Sequence, residues 1–259
     1  MAELVIDDSN YGDFLPHKHD RLAGCLPRVT RYGDCAHAVP DRLQPIPRDQ
    51  WDARIKANDE HGAWLYDLAK GIPCQDQDGL GYCHAYGTVM AMMVERVVQG
   101  LPLVLLSAES IGGPITGWQN QGAALDQDLQ QAAKRGACRQ QFMDGRNSIS
   151  PSRWKAGWET DCANHIVTEW WDLDSGNTFD LAATCALIGI PANQGFGWWG
   201  HAVAGAFKLR RGKGGRYELM SRNSWGKDYG EDGFFWLAEG KGTPDLGLFA
   251  PRQVTASEV

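Results

Sequence analysis

The two ends of the chain carry different hydrophobic patterns, and this difference is the strongest constraint on the fold. Between Ala85 and Val98 the residues are apolar on most faces of a helix, which predicts a buried central helix. The last third instead contains short runs with aromatic or valine residues between glycine-rich turns, at 202–209, 217–222 and 233–238. Such runs are typical of antiparallel strands. Helices that precede strands in this way predict an α+β fold with segregated halves.

Further helices are predicted around the central one. Apolar spacing indicates helical stretches at 51–70, 123–135 and 179–188. The segment 137–178 contains several tryptophans but little periodicity, so it is predicted to be irregular. Residues 1–45 carry scattered prolines and charges, which predicts an irregular N-terminal arm before a folded domain at 46–259.

Composition and charge exclude several classes of protein. Hydrophobic residues make up 43% of the 259 residues and charged residues 22%, so the chain can bury a core and is not a disordered tail. The net charge of −7 argues against a general nucleic-acid binder, which usually has a basic face. No apolar window of about 18 residues predicts a membrane span. The first residues lack a basic segment followed by an apolar run, so no secretory signal peptide is expected.

Cysteine usage raises the question of which thiol is reactive. The seven cysteines are Cys25, Cys35, Cys74, Cys83, Cys138, Cys162 and Cys185. Because none forms a Cys-x-x-Cys pair, we expect no structural zinc site, and no metal or organic cofactor is implied. Without a signal peptide, the thiols are expected to be reduced in a cytoplasm. Cys74 and Cys138 are expected to be ordinary thiols.

Three distant residues form a candidate catalytic set. Cys83 falls near the start of the apolar helix, where unpaired N–H groups and the helix dipole favour a thiolate. His201 lies in a strand-like segment with polar neighbours. The side-chain oxygen of Asn223 can accept a hydrogen bond from one imidazole N–H and orient the other nitrogen toward the thiol. Their separation in sequence predicts a site assembled between two lobes.

The other histidines are weaker candidates. His84 follows Cys83, but an adjacent residue on a helix points about 100° away. His61 and His165 lack comparable partners and are expected at the surface. His17 and His19 could ligate a metal, although a solvated arm is the simpler interpretation.

Three segments resemble the papain and cathepsin family of cysteine peptidases. Segment 77–86, Gln-Asp-Gly-Leu-Gly-Tyr-Cys-His-Ala-Tyr, is similar to the family motif Gln-Gly-x-Cys-Gly-x-Cys-Trp-Ala-Phe. Segment 201–203 matches the family's His-Ala-Val strand. Segment 223–235, Asn-Ser-Trp-Gly-x-x-Tyr-Gly-x-x-Gly-Phe-Phe, is close to Asn-Ser-Trp-Gly-x-x-Trp-Gly-x-x-Gly-Tyr. The resemblance extends from about 47 to 248 and implies a two-lobe papain-like fold, with a helical lobe and an antiparallel strand-rich lobe.

The resemblance also implies the chemistry. Peptide bonds would be hydrolysed through a Cys83 thioester acyl-enzyme, with His201 as acid and base and Asn223 as its orienting partner. Gln77 would donate its amide to the oxyanion, beside the Cys83 backbone N–H. The substrate would be a protein or peptide.

Two further residues are implied to lie along the substrate groove. Trp225 would cover the His–Asn contact and exclude water from it, and the backbone of Gly122 would pair with an extended substrate.

The chain also departs from the family. Leu80 replaces the family cysteine three residues before the nucleophile, so that family disulfide cannot form. The family's signal peptide and long helical prosegment have no counterpart in the sequence. These departures indicate an intracellular relative of microbial or viral origin. The N-terminal arm could cover the cleft as a short inhibitory segment.

Two alternative functions stay open. The fold could be retained without catalysis, leaving a structural or binding module of a larger assembly. The chain could also be another Cys–His hydrolase, such as a peptidoglycan amidase, although those do not normally carry the Asn-Ser-Trp-Gly segment.

Overall fold

The structure is a computed structural model that describes residues 3–32, 34, 43–145, 147–173 and 176–255. Cys35 and His37 lie outside these ranges, together with residues 33 and 36–42 of the N-terminal arm. The helices in the described residues are α1 Trp51–His61, α2 Leu65–Ala69, α3 Cys83–Val98, α4 Glu109–Thr116, α5 Leu125–Lys134, α6 Trp158–Cys162 and α7 Thr178–Ile188. The strands are β1 Val5–Ile6, β2 Cys25–Leu26, β3 Ala123–Ala124, β4 Val167–Asp172, β5 Ala192–Phe196, β6 His201–Arg211, β7 Tyr217–Arg222, β8 Phe234–Ala238 and β9 Gly247–Val254.

One large, mostly antiparallel sheet forms the strand-rich lobe. Its strand order is β1-β8-β7-β6-β5-β9-β4, and only the edge pair β1–β8 is parallel. A second, two-stranded parallel sheet joins β2 of the arm to β3, directly before α5. The predicted α+β class, with a helical lobe and an antiparallel strand-rich lobe, is confirmed. No helix in the described ranges is long and apolar enough to span a membrane.

The central helix α3 is buried from Cys83 to Arg96. It packs against β5, β6 and β9 on one side and against α2, α4 and α5 on others, which explains why its sequence is apolar on most faces. The helix predicted at 51–70 is divided in two. Gly62, at φ 61°, ends α1 in the left-handed conformation that favours glycine, and α2 begins at Leu65.

The segment 137–178, predicted to be irregular, contains strand β4. Val167, Trp170 and Asp172 are the buried residues of this strand, so its burial does not alternate regularly. The register with β9 shifts on either side of Glu169, and a bulge of this kind removes the period-two pattern by which a strand is recognised. Strand β5 was also not predicted, because all of its residues are buried and none gives a polar alternation.

The described part of the N-terminal arm packs against the rest of the chain. Strand β1 extends the large sheet beyond β8, and Ile6 is fully buried there. Further along the arm, the indole N–H of Trp199 donates a hydrogen bond of 2.6 Å to the Phe14 carbonyl. Asp126 accepts hydrogen bonds from the backbone N–H groups of Val29 and Thr30. The arm is therefore bound to both lobes.

Candidate functional site

Cys83 is the first residue of α3 and faces the strand-rich lobe. The backbone N–H groups of Ala202, Gly24 and His84 are close enough to the sulfur to lower its pKa and favour a thiolate. The larger effect is burial, which raises the pKa of the Cys83 thiol to about 12. In this state the sulfur is protonated at neutral pH. Because Ala202 directly follows His201 on β6, the sulfur lies beside the strand that carries the candidate base.

The His201 ring is held by Asn223. Its Nε2 lies 2.8 Å from Asn223 Oδ1, and within the described chain its Nδ1 has no hydrogen-bond partner. Burial lowers the pKa of His201 to about 4, although the bond to Asn223 acts in the opposite direction. The imidazole is therefore neutral at pH 7. Burial neutralises both the thiol and the imidazole, so water reaching the groove would move both pKa values back toward their ordinary values.

Gln77 bridges the two lobes. Its backbone N–H donates to the Ser224 carbonyl at 2.8 Å, and its Oε1 accepts a hydrogen bond of 2.6 Å from Ser224 Oγ. Its Nε2 donates to the Leu80 carbonyl at 2.6 Å, which leaves one N–H of the amide available. Ser224 was not singled out from the sequence, although it follows Asn223 in the recognised segment. Together these bonds place Gln77 beside the segment that carries Asn223.

Trp225 covers the imidazole. Its ring centroid lies 4.8 Å from that of His201, and the side chain is buried. On the arm, His19 lies 5.2 Å from the Trp225 ring. Trp225 therefore contacts the His201 ring directly and is itself covered by the arm.

Gly122 lies against the arm. A Cβ at this position would overlap the backbone of Gly24, so only glycine fits here. The backbone hydrogen bond in this region comes from the next residue, because Ala123 N–H donates to the Gly24 carbonyl at 3.0 Å.

The arm crosses the groove between the lobes next to Cys83. The N–H groups of Gly24 and Cys25 both donate to the Gly200 carbonyl at 3.0 Å, immediately before His201. A Cβ at Gly24 would overlap the Gly81 carbonyl and would lie 3.1 Å from Cys83 Sγ. The backbone of Gly24 therefore occupies the space above the sulfur. Sequence reasoning did not identify this residue, because an isolated glycine in an irregular segment carries no distinguishing pattern.

One ion pair on each side of Gly24 also holds the arm in the groove. Arg21 forms an ion pair of 3.1 Å with Asp76, and Arg28 forms one of 2.6 Å with Asp172, whose side chain is fully buried. The two ion pairs therefore fix the arm both before and after Gly24.

The His84 side chain pairs with a carboxylate of α5. Its Nδ1 lies 2.8 Å from Asp128 Oδ1, and both side chains are fully buried. Asn193 Nδ2 donates to the His84 carbonyl at 2.8 Å. These contacts join α3, α5 and β5, so His84 contributes to the packing of these elements.

The expectation that His165 lies at the surface was wrong. Its side chain is 3% exposed and lies 3.9 Å from Asp161, and burial lowers its pKa to about 4. His165 lies just before β4, a strand that the sequence pattern did not predict, so its burial was not predicted either. His17 and His19 are exposed, and the described residues contain no group of three potential metal ligands.

Comparison with solved structures identifies the fold. Neither a protein-family model nor a curated protein matches the chain. Xylellain, a cysteine protease from Xylella fastidiosa, matches with a TM-score of 0.60 and 15% identity over 91% of this chain and 96% of that one. The cysteine protease and lectin-like domains of Cwp84, a surface layer associated protein of Clostridium difficile, match with a TM-score of 0.61 and 16% identity over 74% of this chain.

Digestive procathepsin L 3 of Tenebrio molitor larval midgut matches with a TM-score of 0.59 and 15% identity over 70% of this chain. The chain spans 66% of that procathepsin and 51% of the Cwp84 structure. These neighbours define the class: the chain has the fold of the papain-like cysteine proteases.

Proposed function

We propose that the protein is a cysteine peptidase in which Cys83 is the nucleophile, His201 the acid and base, and Asn223 the orienting residue. One observation carries the proposal. Asn223 holds Nε2 of the His201 imidazole, whose other nitrogen is unpaired in the described chain, and the N–H of the next residue, Ala202, is close enough to the Cys83 sulfur to lower its pKa. A thiol, an imidazole and an amide in this order are suited to acyl transfer.

The proposed reaction uses each residue in turn. His201 Nδ1 takes the thiol proton, and the Cys83 sulfur attacks the peptide carbonyl carbon. The free N–H of the Gln77 amide and the Cys83 backbone N–H stabilise the oxyanion. His201 then protonates the leaving amine as the C–N bond breaks, which gives a thioester. Water, deprotonated by His201, hydrolyses the thioester and regenerates the thiol.

The same geometry supports a latent resting state. The Gly24 backbone lies above the Cys83 sulfur, and burial raises the pKa of that thiol to about 12. A peptide carbonyl cannot approach the sulfur until this part of the arm moves. We therefore propose that displacement of the arm at Gly24 precedes catalysis.

The occluded sulfur is also the observation that favours the second candidate, a catalytically silent module. A thiol-reactive peptide epoxide separates the candidates. Labelling of wild-type protein at Cys83, together with cleavage of peptides, supports the peptidase. The Cys83→Ala variant should lose the label, and Cys185→Ala, which removes another buried thiol, should retain it.

Two results would contradict the peptidase. If Cys83 is not labelled in the wild type or in variants that displace the arm, the protein is a silent module. Cleavage of peptidoglycan without cleavage of peptide libraries would instead indicate an amidase.

A further inference from the structure

Two cysteines outside the groove lie in one small cluster. Cys138 follows the end of α5, and Cys162 is the last residue of α6. Both thiols are buried, and they pack with Trp154 in a cluster separate from the main core. Neither residue belongs to the catalytic set. The cluster is therefore a feature that the proposed peptidase reaction does not explain.

Hydrogen bonds and an ion pair hold the two cysteine segments together on both sides of the pair. On one side, Arg139 N–H donates to Asp161 Oδ2 at 2.7 Å, and the Arg139 guanidinium lies 2.7 Å from Asp161 Oδ1. On the other side, Ala137 N–H donates to the His165 carbonyl at 3.3 Å. The two chain segments are thus fixed at short distance.

A glycine makes this approach possible. Gly136 adopts φ 77°, and a Cβ there would overlap the Cys162 carbonyl. The residue therefore provides both the left-handed conformation and the space that the adjacent segment requires.

The two side chains lie in the same buried cluster. The neighbouring Cys138 thiol and the Arg135 guanidinium both act to lower the pKa of Cys162. The Cys162 thiol in turn raises the pKa of Cys138. Cys185, which is buried among apolar residues, has its pKa raised to about 12 by burial alone. Cys162 is thus the more acidic member of a thiol pair, a property that favours attack on a disulfide.

We propose that Cys138 and Cys162 form a disulfide when the protein meets a small-molecule disulfide oxidant such as oxidised glutathione. The Cys162 thiolate attacks one sulfur of the oxidant, which forms a mixed disulfide and releases one thiolate. Cys138 loses its proton and displaces the second thiolate. The two protein thiols lose two electrons and two protons in total, and the oxidant is reduced to two thiols.

This bond joins the segment after α5 to α6 within the helical lobe. It differs from the family disulfide that Leu80 prevents. The proposal does not depend on peptidase activity, because it rests on contacts away from Cys83.

The test is to refold the protein in glutathione buffers of different redox ratio and to map its disulfides. Free thiols are blocked, the protein is digested without reduction, and linked peptides are identified by mass spectrometry. Wild-type protein should yield one peptide pair that links Cys138 to Cys162. Closing a loop of about 25 residues should raise the melting temperature by about 5–10 °C relative to reduced protein.

Matched variants give the control. Cys138→Ala and Cys162→Ala should lose both the linked peptide and the oxidant-dependent rise in melting temperature, whereas Cys185→Ala should keep both. The proposal is overturned if both cysteines of oxidised wild-type protein remain available to the blocking reagent, or if the linked peptides contain other cysteines. Mapping of the wild type decides the question even if an alanine variant does not fold.

Discussion

At the scale of single residues, two side-chain hydrogen bonds orient the groups of the candidate site. Asn223 fixes the His201 ring, and Ser224 fixes the carbonyl oxygen of the Gln77 amide. Each bond leaves the opposite end of the side chain available: Nδ1 of His201 and one N–H of Gln77. Neighbouring residues of one segment thus orient both groups that we propose to act on the substrate.

The first prediction concerns the proposed catalytic residues. Cys83→Ala should abolish peptide hydrolysis, because it removes the proposed nucleophile. Asn223→Ala should lower kcat by roughly 10- to 10³-fold, since the imidazole loses its orienting partner while the nucleophile remains. Gln77→Ala should cost about 10²–10³ in kcat through the loss of one oxyanion donor. Steady-state kinetics on a peptide substrate measures all three, and full activity of Cys83→Ala would refute the assignment.

The second prediction concerns pH. Because burial raises the pKa of Cys83 to about 12, its alkylation rate should keep rising with pH beyond 9 in the wild-type protein. His201, whose pKa burial lowers to about 4, should stay neutral until the pH falls near that value. Alkylation of Cys83 by iodoacetamide and NMR titration of the His201 ring measure the two values. A thiol pKa below about 8 in the closed wild type would contradict the buried arrangement.

At the scale of elements, the arm lies in the groove between the lobes and pairs with a strand there. Strand β2 pairs in parallel with β3, and Gly24 forms backbone hydrogen bonds to Gly200 in one lobe and to Ala123 in the other. The contacts that close the groove are therefore mostly backbone contacts, and they depend on the absence of side chains at Gly24 and Gly122.

The third prediction tests this closure with a single methyl group. In Gly24→Ala the new Cβ would overlap the Gly81 carbonyl and press on Cys83 Sγ, so the arm should leave the groove. Labelling of Cys83 by the peptide epoxide should then be at least about tenfold faster than in the wild type. Gly12→Ala is the matched control, because a Cβ at this position of the same arm meets no atom within 4 Å. Equal labelling rates in both variants and the wild type would show that the arm does not control access.

At the scale of the whole molecule, the arm is both a cover and a part of the core. Ile6 is fully buried and belongs to the cluster that contains Phe196, Trp199 and, from β8, Leu237. A truncation that begins near Pro47 would therefore expose this cluster as well as open the groove. Substitution at Gly24 separates the two effects, because it leaves strand β1 in place.

The fourth prediction concerns the contribution of β1 to stability. Ile6→Ala should lower the free energy of unfolding by about 2–5 kcal/mol, because it leaves a cavity in a packed cluster. Denaturant unfolding measures this value. Val29→Ala, at an exposed residue of the same arm, is the control and should change stability by less than about 0.5 kcal/mol. Equal stabilities of Ile6→Ala and wild type would indicate that the arm does not belong to the core.

How much could be predicted from the sequence differs between elements. Helix α3 was predicted because a buried helix needs a long apolar run, and strands β6 to β8 were predicted because glycine-rich turns separate them. Strand β4 was missed because a bulge disrupts its alternation, and β5 because it is buried throughout. The buried position of His165 was missed for a related reason, since its neighbours gave no periodic signal.

The sequence by itself determined the α+β class and supplied the residues that we propose for the candidate site, because side-chain types and their local spacing carry that information. Only the tertiary structure decided that Gly24 covers Cys83, that Ser224 holds Gln77, and that Cys138 meets Cys162. These features come from backbone groups and from residues far apart in the chain. Backbone hydrogen bonds are the same for every residue type except proline, so a segment held by them leaves no mark in the sequence.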